Sequence, residues 1–262
     1  MAVDGVNLSA YGGVERQSRS SRTKASMRHL LGALLAMTLF AADAAERLAP
    51  DPKVVREAVV QIYGARAVGI KGLFGVHTWI AVKPTDALKW TVYEVIGWRL
   101  ARSGNVVVIR NRQPDAWYGV EPELYSDKRG EGVDELIARI DKAAHEYPYA
   151  TAYTLWPGPN SNTFTAWITR AVPELECDLP ATAIGKDYLG GAVLSKAPSG
   201  AGIQLSLGGL LGVSASAVEG LELNVLGLNF GLGPNGIKLP MIGRISTSAV
   251  RGAFAGEEPA KP

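Results

Sequence analysis

Two periodicities run along the chain. Residues 59–67, 76–83 and 90–97 are rich in valine, isoleucine and aromatic side chains that alternate with polar ones, a pattern that predicts three strands. A four-residue hairpin loop, Pro84-Thr85-Asp86-Ala87, joins the second strand to the third. That loop length sets Lys83 opposite Leu88 and His77 directly opposite Glu94 on one face, whereas a slip of one residue would part them. Residues 105–110, valine-rich at their centre, predict a fourth strand, and Asp115-Ala116-Trp117-Tyr118-Gly119 begins a loop. Over 134–146 the period changes: Leu136, Ile137, Ile140, Ala143 and Ala144 recur at helical spacing, with Glu135 and Arg139 placed for a surface pair and His145 as a C-terminal cation. A strand over 149–156 then runs into Trp156-Pro157-Gly158-Pro159, which forces a tight turn. Asn160 or Ser161 can cap the helix that follows, whose apolar positions are Phe164, Trp167, Ile168 and Ala171.

Beyond residue 190 glycine and small apolar residues dominate. Residues 203–207, 221–225 and 226–232 alternate as half-buried strands, and Gly233-Pro234-Asn235-Gly236 is a turn. A small antiparallel sheet is expected, although such glycine content also suits close backbone approach or contact with a lipid surface. Residues 256–262 read as a disordered tail. Strands, helix, strand, helix and a glycine-rich β appendage make an α+β chain.

Composition and charge narrow the class. With 262 residues, 47% hydrophobic and 20% charged, the chain can bury one sizeable core with an appended subdomain. Residues 1–45 hold five basic and three acidic residues, and the remainder holds 22 of each sign. A neutral body argues against a nucleic-acid-binding surface. The basic segment precedes an apolar run, residues 30–42, short for a membrane span but suited to a signal peptide, and Ala42-Asp43-Ala44 offers a cleavage site. Met27 is an alternative start, and an uncleaved anchor through 30–42 is the other reading of the run. Either way export to the periplasm or cell envelope is expected. The organisation is therefore an export signal or anchor over 1–45, a core over 46–189, a β subdomain over 190–255 and the tail. Cys177, the only cysteine, leaves no internal disulfide and sits among carboxylates that raise a thiol's pKa, so it reads as structural.

The candidate chemistry is acyl transfer. Ser161 stands at the positive end of a helix dipole beside unpaired backbone N–H groups, His77 can serve as base, and Glu94 can orient the imidazole. Trp117 and Tyr118 can line a groove. Lys186 and Asp187 read either as a surface salt bridge that closes the site or as a solvated turn. No metal cluster, phosphate loop or nucleotide fingerprint occurs, and no cofactor is expected.

Asn160-Ser161-Asn162-Thr163-Phe164 resembles the Asn-Cys-Asn-x-Phe motif of circularly permuted papain-like enzymes, among them the PPPDE-type peptidases and the lecithin:retinol acyltransferase group, related to NlpC-type cell-wall peptidases. In those families a strand like Val76-His77-Thr78-Trp79-Ile80-Ala81-Val82 comes first and supplies the histidine. Over roughly residues 55–190 the chain also resembles a bacterial domain-of-unknown-function family that carries Pro-Gly-Pro-Asn-Ser-Asn-Thr-Phe. The first resemblance implies a permuted papain-like core, with Ser161, His77 and Glu94 as catalytic residues and Asn160 and Asn162 as binding residues. Trp117 and Tyr118, read from the residues alone, are either binding residues lining the groove or core packing. It departs at the nucleophile, where serine replaces cysteine. A hydroxyl cannot be stored as an anion and needs a general base during attack. The implied function is an amide or ester hydrolase or acyltransferase acting on an envelope peptide or lipid, with peripheral membrane contact. The alternative is an inactive envelope module that binds a small molecule, peptide or lipid in the same cleft.

Overall fold

The computed structural model describes residues 48–246, so the expected export segment, its cleavage site and the tail lie outside the described residues. Five antiparallel strands form the first sheet in the order β4-β3-β2-β1-β5: β1 (Val59–Arg66), β2 (Val76–Lys83), β3 (Thr91–Val95), β4 (Val107–Asn111) and β5 (Glu123–Arg129). Three α-helices accompany it among the described residues: α1 (Leu100–Ser103), α2 (Val133–His145) and α3 (Ser161–Ala171). Seven further antiparallel strands, from β6 (Leu194–Ser195) to β12 (Gly243–Ser246), follow in order as a second sheet. The fold is α+β.

The first sheet is covered on both faces, which accounts for the unbroken burial of β2. Val60, Ile62, Ile80, Val82 and Tyr93 point to one side, where they pack on Ile137 and Ile140 of α2 and Phe164 and Ile168 of α3. Val59, Tyr63, Trp79 and Val92 point to the other, beneath Ala49, Trp90 and the loop carrying Trp117. Strand alternation therefore delivers side chains to two separate cores.

Several expectations are corrected. The β2–β3 connection is longer than a four-residue loop, and Ile80 pairs with Tyr93 rather than with the residue two positions earlier. A two-residue change preserves the face, because the side-chain period of a strand is two. His77 and Glu94 thus share a face but lie diagonally, not directly opposite. Residues 149–156 form no strand: Val106 N–H donates to Ala150 O at 2.8 Å and Thr154 N–H to Pro159 O at 2.8 Å, so this backbone is satisfied in turns. The edge strand β5 went unforeseen because Glu123–Arg129 is largely polar, as suits an edge, and it pairs with β1 across a bulge at Ile62/Tyr63. Arg139 pairs with Glu174 at 2.7 Å instead of with Glu135.

The second sheet alternates as expected, and its polar face is the covered one. Gln204, Ser206, Ser214, Glu222, Asn224 and Lys238 are buried, while Ile203, Leu205, Leu207, Leu221, Leu223 and Leu232 are exposed. Polar groups meet the polar residues that follow α3. The Glu222 carboxylate bridges the Lys186 and Lys238 ammonium groups, and Lys238 also pairs with Asp178. Asp187 accepts from Gln204 at 2.5 Å and from Asn224 at 3.1 Å. Lys186 and Asp187 are consequently buried rather than a solvated turn or a surface salt bridge. Burial alone would raise the Glu222 pKa, but the two lysines outweigh it and hold the carboxyl below its usual range. Cys177 is buried, and burial pushes its thiol up, away from reactivity.

Removing Glu222 takes the shared carboxylate from two buried ammonium groups, leaving Lys238 with Asp178 and Lys186 with the more distant Asp187. Glu222→Leu is expected to lower stability by about 3–5 kcal/mol. Glu174→Ala, which breaks an exposed pair, should cost less than about 1 kcal/mol. Urea unfolding of the two variants against the parent checks both values.

Candidate functional site

The site is built around the start of α3. Asn160 is the N-cap: its Oδ1 accepts from the N–H groups of Asn162 at 2.9 Å and Thr163 at 3.2 Å, and Thr163 Oγ1 accepts from Asn160 N–H at 3.1 Å, a reciprocal capping box. Its Nδ2 donates to Leu155 O and Ile184 O, each at 3.0 Å. Gly185, at φ +101°, admits this amide, since a Cβ there would meet Asn160 Nδ2 at 2.4 Å. Asn162 Nδ2 donates to Val76 O at 3.0 Å and Ile184 O at 2.8 Å. Thr78 Oγ1 lies 3.0 Å from Asn162 Oδ1. Both asparagine amides are thus committed to holding α3 on β2 and on the 182–185 loop, even though both border the cavity.

Because Asn160 caps the helix, the Ser161 hydroxyl is left over. It makes no hydrogen bond to any described residue. Asn160 also occupies the N–H groups of Asn162, Thr163 and Phe164, which leaves the Ser161 N–H as the free donor of the first turn among the described residues.

Glu94 organises the other half. Its carboxylate receives Arg110 Nη2 at 3.0 Å, Arg112 Nε at 3.3 Å and Arg112 Nη2 at 3.3 Å, and His77 Nε2 lies 3.3 Å from Oε2. Burial would raise the Glu94 pKa, but the His77 hydrogen bond and the Arg112 charge prevail and bring it to about 2. His77 is displaced downward, chiefly by its own burial and against the pull of Glu94. The imidazole is therefore neutral near pH 7, with Nδ1 the nitrogen left without a hydrogen bond among the described residues. Trp117 stacks on the ring at 3.9 Å between centroids and 8° between planes, and Tyr118 meets Trp117 edge-on at 4.9 Å. Arg112 also lies over Trp79, 5.3 Å from the ring centroid. Arg110, on β4, and Arg112, just past its end, were not foreseen as partners of Glu94.

His77, Ser161, Asn160, Asn162, Trp117 and Tyr118 all border a single cavity of about 680 Å³, within the range of small-ligand sites. Thr78 points towards α3 and His77 towards the opposite face of the sheet. Since β3 pairs with β2 only over Ile80–Val82, the end of β2 that carries His77 is open on that side, and the cavity reaches both faces there. No hydrogen bond joins the His77 ring to Ser161. Glu94 touches His77 but is not part of the cavity wall. Val76, Ile96, Tyr153, Leu155, Trp156 and Leu228 supply much of the remaining wall, which is largely apolar. Among the described residues no His, Cys, Asp and Glu side chains converge as a metal-ligand set, and no helix is long and apolar enough to cross a membrane.

The profile described as Protein of unknown function (DUF3750) matches residues 57–188, about half of the chain. The chain belongs to the DUF3750 family. No curated protein and no solved structure matches it. The DUF3750 match takes in both sheet faces, the Glu94 cluster and the whole of α3, and it ends before the second sheet begins.

The pH dependence of stability follows from two downward displacements. The contribution of neutral, buried His77 is complete above its ordinary 6.5 and is lost as pH falls through its depressed value. The contribution of Glu94 is complete above its ordinary 4.5 and fades as pH falls towards about 2. Stability measured by urea titration should therefore decline on acidification from pH 7, and His77→Gln should flatten the decline between pH 7 and 5.

Proposed function

We propose that this DUF3750 protein is an exported hydrolase or acyltransferase with a permuted papain-like core and Ser161 as its nucleophile. One observation carries the reading: a neutral imidazole fixed by an ionised carboxylate and an unused hydroxyl at a helix tip open onto the same cavity. Ser161 Oγ attacks the carbonyl carbon of an ester or amide as its proton passes to His77. Glu94 holds the ring and stabilises the imidazolium that forms. The Ser161 N–H, aided by the helix dipole, faces the developing oxyanion. The proton returns to the leaving alcohol or amine, and water or a second acceptor then takes the acyl group from Ser161. Envelope peptides or lipids are the substrate class, and the chemistry calls for no cofactor.

A second reading, a ligand-binding module descended from such an enzyme, is favoured by the Trp117 stack over His77 and by the missing hydrogen bond between His77 and Ser161. A fluorophosphonate probe separates the two. The folded parent is expected to label, and Ser161→Ala and His77→Gln to lose at least nine-tenths of the label while keeping their circular dichroism. A folded parent that never labels, beside a Ser161→Cys variant that reacts with iodoacetamide, would establish the binding module instead.

A further inference from the structure

The cavity has a deep polar end and an apolar mouth. His77 and Ser161 are buried, while Trp98, Tyr118, Trp156 and Leu226, which border the same space, are each half exposed or more. The apolar surface continues past the mouth. Ile70 and Leu73 stand out at 77% and 60% exposure from the 3-10 turn Gly69–Leu73, whose neighbours Val68 and Phe74 line the cavity. Ile242, 62% exposed, projects from the β11–β12 hairpin, which Arg66 Nη2 ties back at 3.4 Å through Ile242 O.

Hairpin tips are ordinarily polar, since they meet water. Here the antiparallel pairing of Val225 with Leu228, of Gly233 with Gly236 and of Leu239 with Gly243 sets the tips at 226–227 and 240–242 at the same end of the second sheet, and both are apolar. Trp156 Nε1 donates to Leu226 O at 3.0 Å, which anchors the first tip to the mouth.

Charge supplies the second half of the argument. The segments bordering the mouth over 66–76, 95–104, 153–161 and 226–228 contain Arg66, Lys71, Arg99 and Arg102 but no aspartate or glutamate. Asp115 and Glu121 enter only with the loop that carries Trp117 and Tyr118. Arg102 lies over the exposed Trp98 ring, 5.1 Å from its centroid. Protruding aliphatic side chains, tryptophan and tyrosine at their margin and unopposed cations suit the boundary between anionic headgroups and acyl chains.

We propose that the mouth of the cavity docks on an anionic lipid bilayer, with Ile70, Leu73, Leu226 and Ile242 entering the headgroup layer. An acyl chain or lipid-borne group then passes into the apolar cavity without crossing water. The inference deepens the proposed function by naming the partner of that site, but it does not require Ser161 to react.

Sedimentation of the full chain with vesicles tests it, using phosphatidylcholine alone and phosphatidylcholine mixed with phosphatidylglycerol. Binding should be stronger to the mixed vesicles and should weaken as salt rises. Lys71→Gln should reduce it by about fivefold. The pair Leu226→Asp and Ile242→Asp should reduce it by tenfold or more. Ser161→Ala should bind like the parent, so that a failure of the catalytic reading stays separable from a failure of this one. Equal binding by parent and by the paired variant would overturn the proposal, because residues 30–42 would then account for it. So would a shift from dimer to monomer in the paired variant with vesicle binding unchanged, since a second copy would then be the occupant of this surface.

Discussion

One side-chain amide fixes the geometry on which the rest depends. Asn160 closes the first turn of α3, takes hold of Leu155 O and Ile184 O, and occupies the space that Gly185 leaves open. A serine or threonine cap would satisfy the helix but could not donate two further bonds to neighbouring loops. Because asparagine does both, Ser161 begins the helix with its hydroxyl unspent. Asn162 and Thr78 then lock that helix start to β2, one residue from His77.

The two faces of the first sheet divide the labour. Alternate residues of β2 serve the helix core and the aromatic core, so Thr78 and His77 are neighbours in sequence that look in opposite directions. A carboxylate with no exposed surface, as Glu94 is, needs partners on several sides to remain ionised there. Arg110, Arg112 and His77 provide them, and the cluster thereby fixes which imidazole nitrogen is left over. Trp117 holds the ring from its open side.

Local chemistry made much of this legible. The strand at Val76–Lys83, the helix at Val133–His145 and the start of α3 all follow from periodicity and turn residues that agree with one another. The association of His77 with Glu94 was readable even though the loop was misjudged, since an error of two residues leaves the face unchanged. Long-range compensation was not readable. Glu123–Arg129 joins the sheet through β1 rather than through its own sequence preference, and Arg110 and Arg112 reveal their role only when β4 lies beside Glu94. Which face of the second sheet is covered was unreadable for the same reason. Alternation reports that two faces differ, but only the partner decides which of them is covered.

That partner has a consequence for where this molecule can be divided. The DUF3750 match stops at residue 188, yet Lys186 and Asp187 reach Glu222, Gln204 and Asn224 across the boundary. Apolar surfaces cut apart can collapse or acquire detergent, but an ammonium and its carboxylate separated from each other retain no such substitute in a dry interior. Strands β6 to β12 are therefore not a detachable ornament on the matched segment. Proteolytic trimming at the apparent boundary would uncover a half-neutralised seam, and the two parts are expected to gain and lose their order together.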